Sequence, residues 1–216
     1  MNDEKITVSP IRKIDEVRSY SRKQYYDEIF QDNVVPKFAV HVVNMFIITT
    51  SGEVLLQKRA AQKRHNPRLI DKSLGGHVVY GDHTDYTVMV ETVQELLTPS
   101  IVLKNEKDFE KTYSLLGDYL NTVALIKHRD VIEMTLDKLV DGKLYSVPNV
   151  VHMYLGIYDG STKPADKESS GMLYYRIEDL EEEMLSVPEQ FSDDVKKLFA
   201  MFKPDLLALL QRYNPS

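Results

Sequence analysis

Gly75-Gly76-His77-Val78-Val79-Tyr80-Gly81-Asp82, followed by Asp85-Tyr86-Thr87-Val88-Met89-Val90-Glu91-Thr92-Val93-Gln94-Glu95-Leu96-Leu97, is the stretch on which the fold turns. The first part reads as a glycine-rich strand and turn. The second reads as a helix over residues 85–97, ended by Thr98-Pro99. With ~100° per helical residue and Glu91 at zero, Glu95 falls near ~40° and Gln94 near ~−60°. Tyr86, Met89, Val93, Leu96 and Leu97 gather on the opposite side. The expected helix therefore buries that apolar side, Met89, Val93 and Leu96 above all, and presents two carboxylates and an amide on the other.

Carboxylates one turn apart repel each other unless something lies between them. A hard divalent cation relieves that repulsion, since Mg²⁺ prefers oxygen ligands and commonly joins one or two carboxylates to a substrate's phosphates. The alternative is a solvated acidic face, the usual fate of exposed helical charges. The glycine pair upstream favours the cation, because it brings backbone close to the acidic face.

Outward from this centre, strands and helices alternate. Residues 40–49 form an apolar, β-branched strand. Thr50-Ser51-Gly52 turns it into residues 53–57, which completes a hairpin. Residues 58–71 are basic, polar and interrupted by Pro67, as in a surface loop expected to roof the acidic helix face. Further strands are expected at residues 6–10, 122–126, 150–157 and 172–177. Helices are expected at 21–30, 108–120 and 178–184. A last helix follows Ser192 as N-cap, broken or kinked at Pro204. The class is α/β or α+β.

The central stretch resembles the Nudix hydrolase box, which runs Gly, five residues, Glu, seven residues, then Arg-Glu-apolar-x-Glu-Glu-x-Gly. Gly76 matches the first glycine, Asp82 stands at the first Glu, and Glu91 and Glu95 match the Glu after the arginine and the last Glu. Val90, Thr92, Gln94 and Leu97 depart from it, replacing the arginine, the apolar residue, the first Glu of the pair and the closing glycine. The flanks Gly52-Glu53-Val54-Leu55-Leu56-Gln57-Lys58-Arg59, Pro67, Asp71, Ser73 and Gly75-Gly76-His77-Val78 are similar to the branch that includes isopentenyl diphosphate isomerases.

The resemblance implies an α/β/α Nudix sandwich with a mixed sheet. It also implies a Mg²⁺- (or Mn²⁺-) dependent pyrophosphohydrolase whose partner is a small-molecule diphosphate, a nucleoside diphosphate derivative or a similar compound. Glu95 would be a metal ligand, and Glu91 a second ligand or the base that orients water. Asp82, Gln94 and Gly76 would complete the metal site. Glu168 would be a loop carboxylate. Lys58, Arg59, Arg64 and Arg68, with Lys63, suit phosphate recognition; the competing reading is a solvated basic loop. His77 and His83 have no second His at ligand spacing and read as structural or surface residues. Isomerase chemistry in the resembling branch uses a cysteine, and this chain has none. A catalytically degenerate Nudix-fold module, binding a nucleotide or a protein partner, is the alternative.

Residues 40–184 are expected to form the domain. Residues 1–39 would be an N-terminal extension packed on it, and 185–216 a C-terminal helical extension that packs back or forms a homodimer interface. Across the 216 residues, 27 Lys+Arg stand against 33 Asp+Glu, a formal charge of −6. That balance opposes nucleic-acid binding by bulk charge. The absence of cysteine excludes a disulfide scaffold, a Cys-ligated metal and a catalytic thiol. The longest apolar run, residues 38–48, is interrupted by His41 and Asn44 and falls short of the ~20 residues of a membrane span. The start, Met1-Asn2-Asp3-Glu4-Lys5, does not read as a signal peptide. A cytoplasmic protein is expected.

Overall fold

The computed structural model describes residues 3–162 and 169–213. The chain enters through β1 (Lys5–Pro10) and β2 (Arg18–Ser21), then α1 (Arg22–Ile29), whose N-cap Ser21 accepts from the Gln24 amide. It continues as β3 (Phe38–Ile48), β4 (Glu53–Arg59), the two-residue β5 (Ile70–Asp71) and β6 (Leu74–His77). Next come α2 (Thr84–Leu96), β7 (Ser100–Leu103) and α3 (Glu106–Leu116). The long hairpin β8 (Ala124–Val140) and β9 (Lys143–Ile157), β10 (Ser169–Arg176), α4 (Ile177–Ser186) and α5 (Asp193–Tyr213) complete it. No helix among the described residues is long and apolar enough to cross a membrane.

β3 organises the sheet. Along one edge it pairs in parallel with β9, Val40 opposite Asn149 through Ile48 opposite Ile157. Its other edge is shared by three antiparallel partners in turn: β1 at its start, β6 at residues 42–45, and β4 at Ile47 and Ile48. Main-path order is β10-β4-β3-β9-β8-β7, and the sheet is mixed.

The pleat of β3 sorts its residues onto two faces. Val43, Met45 and Ile47 join Val88 and Leu96 of α2 in one core cluster. Phe46 and Ile48 join Leu198, Phe199, Phe202 and Leu206 of α5 in another. Helices on both faces of one mixed sheet make an α/β/α sandwich, as expected.

α5 continues through Pro204 rather than breaking there. Its apolar residues before and after the proline, Phe202 and Leu206 among them, stay buried in the same core. The segment between residues 126 and 150, unassigned from sequence, is the β8–β9 hairpin, and three short strands were not expected: β2, β7, and β5 inside the segment read as a surface loop.

Candidate active site

The glycine pair lies on β6, where Gly76 pairs with Val43 and Gly75 with Asn44 of β3. A Cβ on Gly76 would fall on the Glu91 carboxylate, so α2 lays that carboxylate directly over the β6 backbone. A Cβ on Gly75 would meet Asn44 Oδ1 and the Val43 carbonyl at 2.8 Å. Both positions are glycine because backbone and side chains approach them closely. The Tyr154 hydroxyl on β9 holds the first turn of α2, donating to Asp85 Oδ1 at 2.9 Å and hydrogen-bonded to the Thr84 hydroxyl at 2.8 Å.

The expected orientation of α2 needs correction. Val88, Thr92 and Leu96 are buried, whereas Met89 and Val93 are 39% and 50% exposed and Leu97 is 64% exposed. The inward face is centred close to the carboxylates rather than opposite them. Glu95 is accordingly only 5% exposed, and Glu91 is half-buried at the rim. Gly76 explains the choice: with no side chain there, the Glu91 carboxylate has room to turn inward over β6.

Glu91 and Gln94 line a cavity of about 170 Å³ together with the cations Arg22, Arg59, Lys63, Lys72 and Lys138. Lys72 and Lys138 share the Asp194 carboxylate, Lys138 Nζ at 2.5 and 2.6 Å and Lys72 Nζ at 3.2 Å. Lys72 also reaches Asp71 Oδ2 at 3.3 Å, and Arg59 Nη1 meets the same oxygen at 3.3 Å. Ser192, the residue before α5, donates from its hydroxyl to Asp71 Oδ1 at 2.7 Å. Burial works against the Lys72 ammonium, but Asp194 and Asp71 outweigh it and raise its pKa. For Lys138 burial wins, and its pKa is lowered despite Asp194. Burial would raise the Asp194 pKa, yet Lys138 and Lys72 reverse this and hold it well below the usual carboxylate range.

His77 also lines the cavity and shares a 2.6 Å hydrogen bond with the Tyr26 hydroxyl of α1. Burial first, then the nearby Arg22 charge, push its pKa well below the ordinary histidine value, so the ring is neutral. Asn44 is 2% exposed, and its Nδ2 has no hydrogen-bond partner among the described residues although the side chain lines the cavity. A buried amide donor left unmet is costly, and a ligand oxygen would satisfy it.

Gly76, Glu91, Gln94, Arg59 and Lys63 thus come together at one cavity. Arg64 lines an adjoining outer chamber instead. Lys58, Arg68 and the exposed Asp82 line neither, so Arg59, Lys63 and His65 are the parts of the basic segment that reach the inner cavity. Glu95 lies behind Glu91 on the inward face of α2, and Glu168 is outside the described residues. His83 caps α2, its Nδ1 accepting from the Asp85 amide at 3.2 Å. Sequence reasoning missed Lys72, Lys138, Asp194, Asn44, Arg22 and Tyr26. The first three stand beside other polar residues, Asp71 and Ser73, Asp137, and Ser192 and Asp193, so nothing local marks them.

Among the described residues no three His, Asp or Glu side chains gather into a ready-made metal cage. The donor set of Glu91 beside Glu95, with the Gln94 amide at the mouth, fits a hard cation that completes its shell with substrate phosphate oxygens.

No family model matches the chain. It is 26% identical over 149 residues to an isopentenyl-diphosphate Delta-isomerase of Serratia proteamaculans, covering 69% of this chain and 68% of that protein. It is 38% identical over 55 residues to an uncharacterized Nudix hydrolase of a Nostoc species, a match covering 26% of this chain and 32% of that protein. In structure it is similar to a protein of Deinococcus radiodurans, with a TM-score of 0.57 at 16% identity over 90% of this chain and 96% of that one. The fold is the Nudix fold, as the box and its flanks implied.

Proposed function

We propose that this Nudix-fold chain is a divalent-metal-dependent hydrolase of a diphosphate linkage, with Mg²⁺ or Mn²⁺ as the metal. The observation that carries the reading is that the Glu91 carboxylate and the Lys72–Asp194–Lys138 cluster line one small cavity. A diphosphate is a compact polyanion. It needs fixed positive charge on one side and, on the other, carboxylates that recruit a cation.

Glu91 and Glu95 would hold the metal with Gln94 and the Gly76 carbonyl, and Glu91 would also orient the attacking water. When bound, the metal neutralises charge on the phosphate oxygens and lowers the pKa of bound water. Lys72 and Lys138 would take non-bridging phosphate oxygens as point charges, released in part from Asp194 as the substrate arrives. Asn44 Nδ2 would donate to a further oxygen. Asp194 keeps both ammonium groups in position before binding, so little reorganisation is needed when charge develops on the departing phosphate. Water would bond one phosphorus as its bond to the bridging oxygen breaks; the departing phosphate would leave with that electron pair and the water's proton would pass to Glu91.

Resemblance to an isomerase does not bring isomerase activity into this proposal, since the chain lacks the cysteine that chemistry uses in the resembling branch. A specific observation favours a second reading, a binding module without turnover: the neutral, exposed Gln94 stands where a third carboxylate is expected. A screen of phosphate release with Mg²⁺ across nucleoside diphosphate sugars, dinucleoside polyphosphates, NADH, ADP-ribose and non-nucleotide diphosphates such as 5-phosphoribosyl 1-diphosphate tests both, with Glu91→Gln and Glu95→Gln as controls. Metal-dependent turnover lost in both variants is the expected result. Metal-dependent binding without turnover would replace hydrolysis by the second reading.

A further inference from the structure

The inner cavity continues into an outer chamber of about 460 Å³, and Glu4, Arg22, Tyr26, Arg59, Lys63 and His65 belong to the walls of both. To these the outer chamber adds Asp3, Lys23, Gln62 and Arg64, so that five cations stand there against the carboxylates of Asp3 and Glu4. Arg22 is held by Glu4 at 2.7 Å, and Arg64 by Asp27 at 2.8 Å, so the guanidinium groups are oriented before any ligand arrives. Cationic wall therefore extends well beyond the space a diphosphate occupies. Arg22 and Lys23 of α1 supply part of it, and Arg59, Lys63 and Arg64 the rest.

The two chambers offer little to a base or an apolar tail. Tyr26 is the one Tyr or Phe lining either chamber among the described residues, and it is 6% exposed. Its ring already stacks on His65 (5.8 Å, 20°), meets Tyr25 and His77 edge-on, and packs on Phe30. Residues 1–2, 163–168 and 214–216 contain no Phe, Tyr or Trp, so they can add no aromatic platform. Val42 is the one aliphatic side chain in the two linings. A nucleobase stacks on open aromatic faces, and a prenyl chain needs apolar surface.

We propose that the substrate is a compact polyphosphorylated molecule, with its diphosphate in the inner cavity and at least one further phosphate in the outer chamber, rather than a nucleotide or a prenyl diphosphate. This rests on the diphosphate reading of the inner site and names its substrate class. The phosphate in the outer chamber is met by Arg22, Lys63 and Arg64, and bidentate guanidinium contacts give it orientation as well as attraction.

The test is calorimetric titration of the full chain with Mg²⁺ present. The probes are 5-phosphoribosyl 1-diphosphate, the same compound without its 5-phosphate, ADP-ribose and isopentenyl diphosphate. The doubly phosphorylated probe is expected to bind at least ten-fold tighter than each of the others. Arg22→Gln and Arg64→Gln, each checked for an unchanged melting profile, should reduce that ratio several-fold; Lys63→Gln supplies a third variant should either fail to fold. A ratio below two-fold, a ratio untouched by every folded variant, or tightest binding of ADP-ribose would overturn the inference and leave the diphosphate site standing. Failure of every diphosphate probe to bind would instead remove the reading on which the inference rests, and the inference with it.

Discussion

Gly76 and Glu91 occupy each other's space, and that contact gives the most local test of the site. A methyl group at residue 76 displaces the end of a flexible side chain rather than backbone. Gly76→Ala should therefore cost the fold less than about 1 kcal/mol, while moving Glu91 and weakening metal-dependent diphosphate binding at least ten-fold. Urea denaturation and calorimetry separate the two effects. Gln94 gives a test of opposite sign. Affinity for hard cations rises with the number of charged oxygen ligands, so Gln94→Glu should tighten Mg²⁺ binding. The wild type should gain most of its Mg²⁺ affinity from a bound diphosphate, with reciprocal coupling. Mg²⁺ titration of both proteins, with and without diphosphate, reads this directly. Glu91 and Gln94 were legible from the ~100° helical step, because helix periodicity is local. Lys72, Lys138 and Asp194 were not legible together. They are brought into contact by β8 and by the start of α5, across 66 and 56 residues of chain, and no local pattern encodes that pairing.

At the scale of elements, α2 shows where periodicity stops short. The period placed Glu91 and Glu95 on one face, but it does not say which face turns inward. The glycine floor of β6 decided that, leaving an apolar row at Met89, Val93 and Leu97 in solvent. The β8–β9 hairpin carried a readable signal that went unused. Asp141-Gly142 forms its two-residue turn, with φ of 48° and 81°, the pairing of positive angles that an Asp-Gly type I′ turn needs. Polar residues such as Lys127, Arg129 and Asp130 hid the strand on its first half. For α5, the Leu and Phe content marked an apolar helix face but left open whether it packs back or meets a second copy; the structure sets it in the core. Phe199, 2% exposed and edge-on to Phe46 at 6.4 Å, is central to it. Phe199→Ala should destabilise the whole chain by about 3–5 kcal/mol, seen as a lower urea midpoint at unchanged slope.

For the whole molecule, pH gives a test that is independent of any ligand. His41 and His152 lie on the paired strands β3 and β9, with His41 Nδ1 3.1 Å from His152 Nε2 and His41 Nε2 3.1 Å from Ser9 Oγ. Burial lowers both pKa values to about 4, and for His152 the neighbouring His41, His128 and His83 act in the same direction. A histidine depressed in the folded state binds its proton more readily when unfolded. Its contribution is complete above the unfolded value of about 6.5 and is lost as pH falls toward about 4. Stability should thus drop between pH 6.5 and 4, with a slope of up to about 1.4 kcal/mol per pH unit for each ring. His41→Asn should flatten that slope in urea melts taken across the same window.

The central claim is that the Glu91 side of α2 and the Lys72–Asp194–Lys138 cluster together grip one diphosphate. It is tested most directly by a crystal structure with Mn²⁺ and imidodiphosphate, read by anomalous scattering. The expected result is a manganese peak beside Glu91 and Gly76, with phosphate oxygens on Lys72 Nζ and Lys138 Nζ. A diphosphate bound elsewhere, or an inner cavity holding neither metal nor diphosphate at saturating concentrations of both, would contradict the claim.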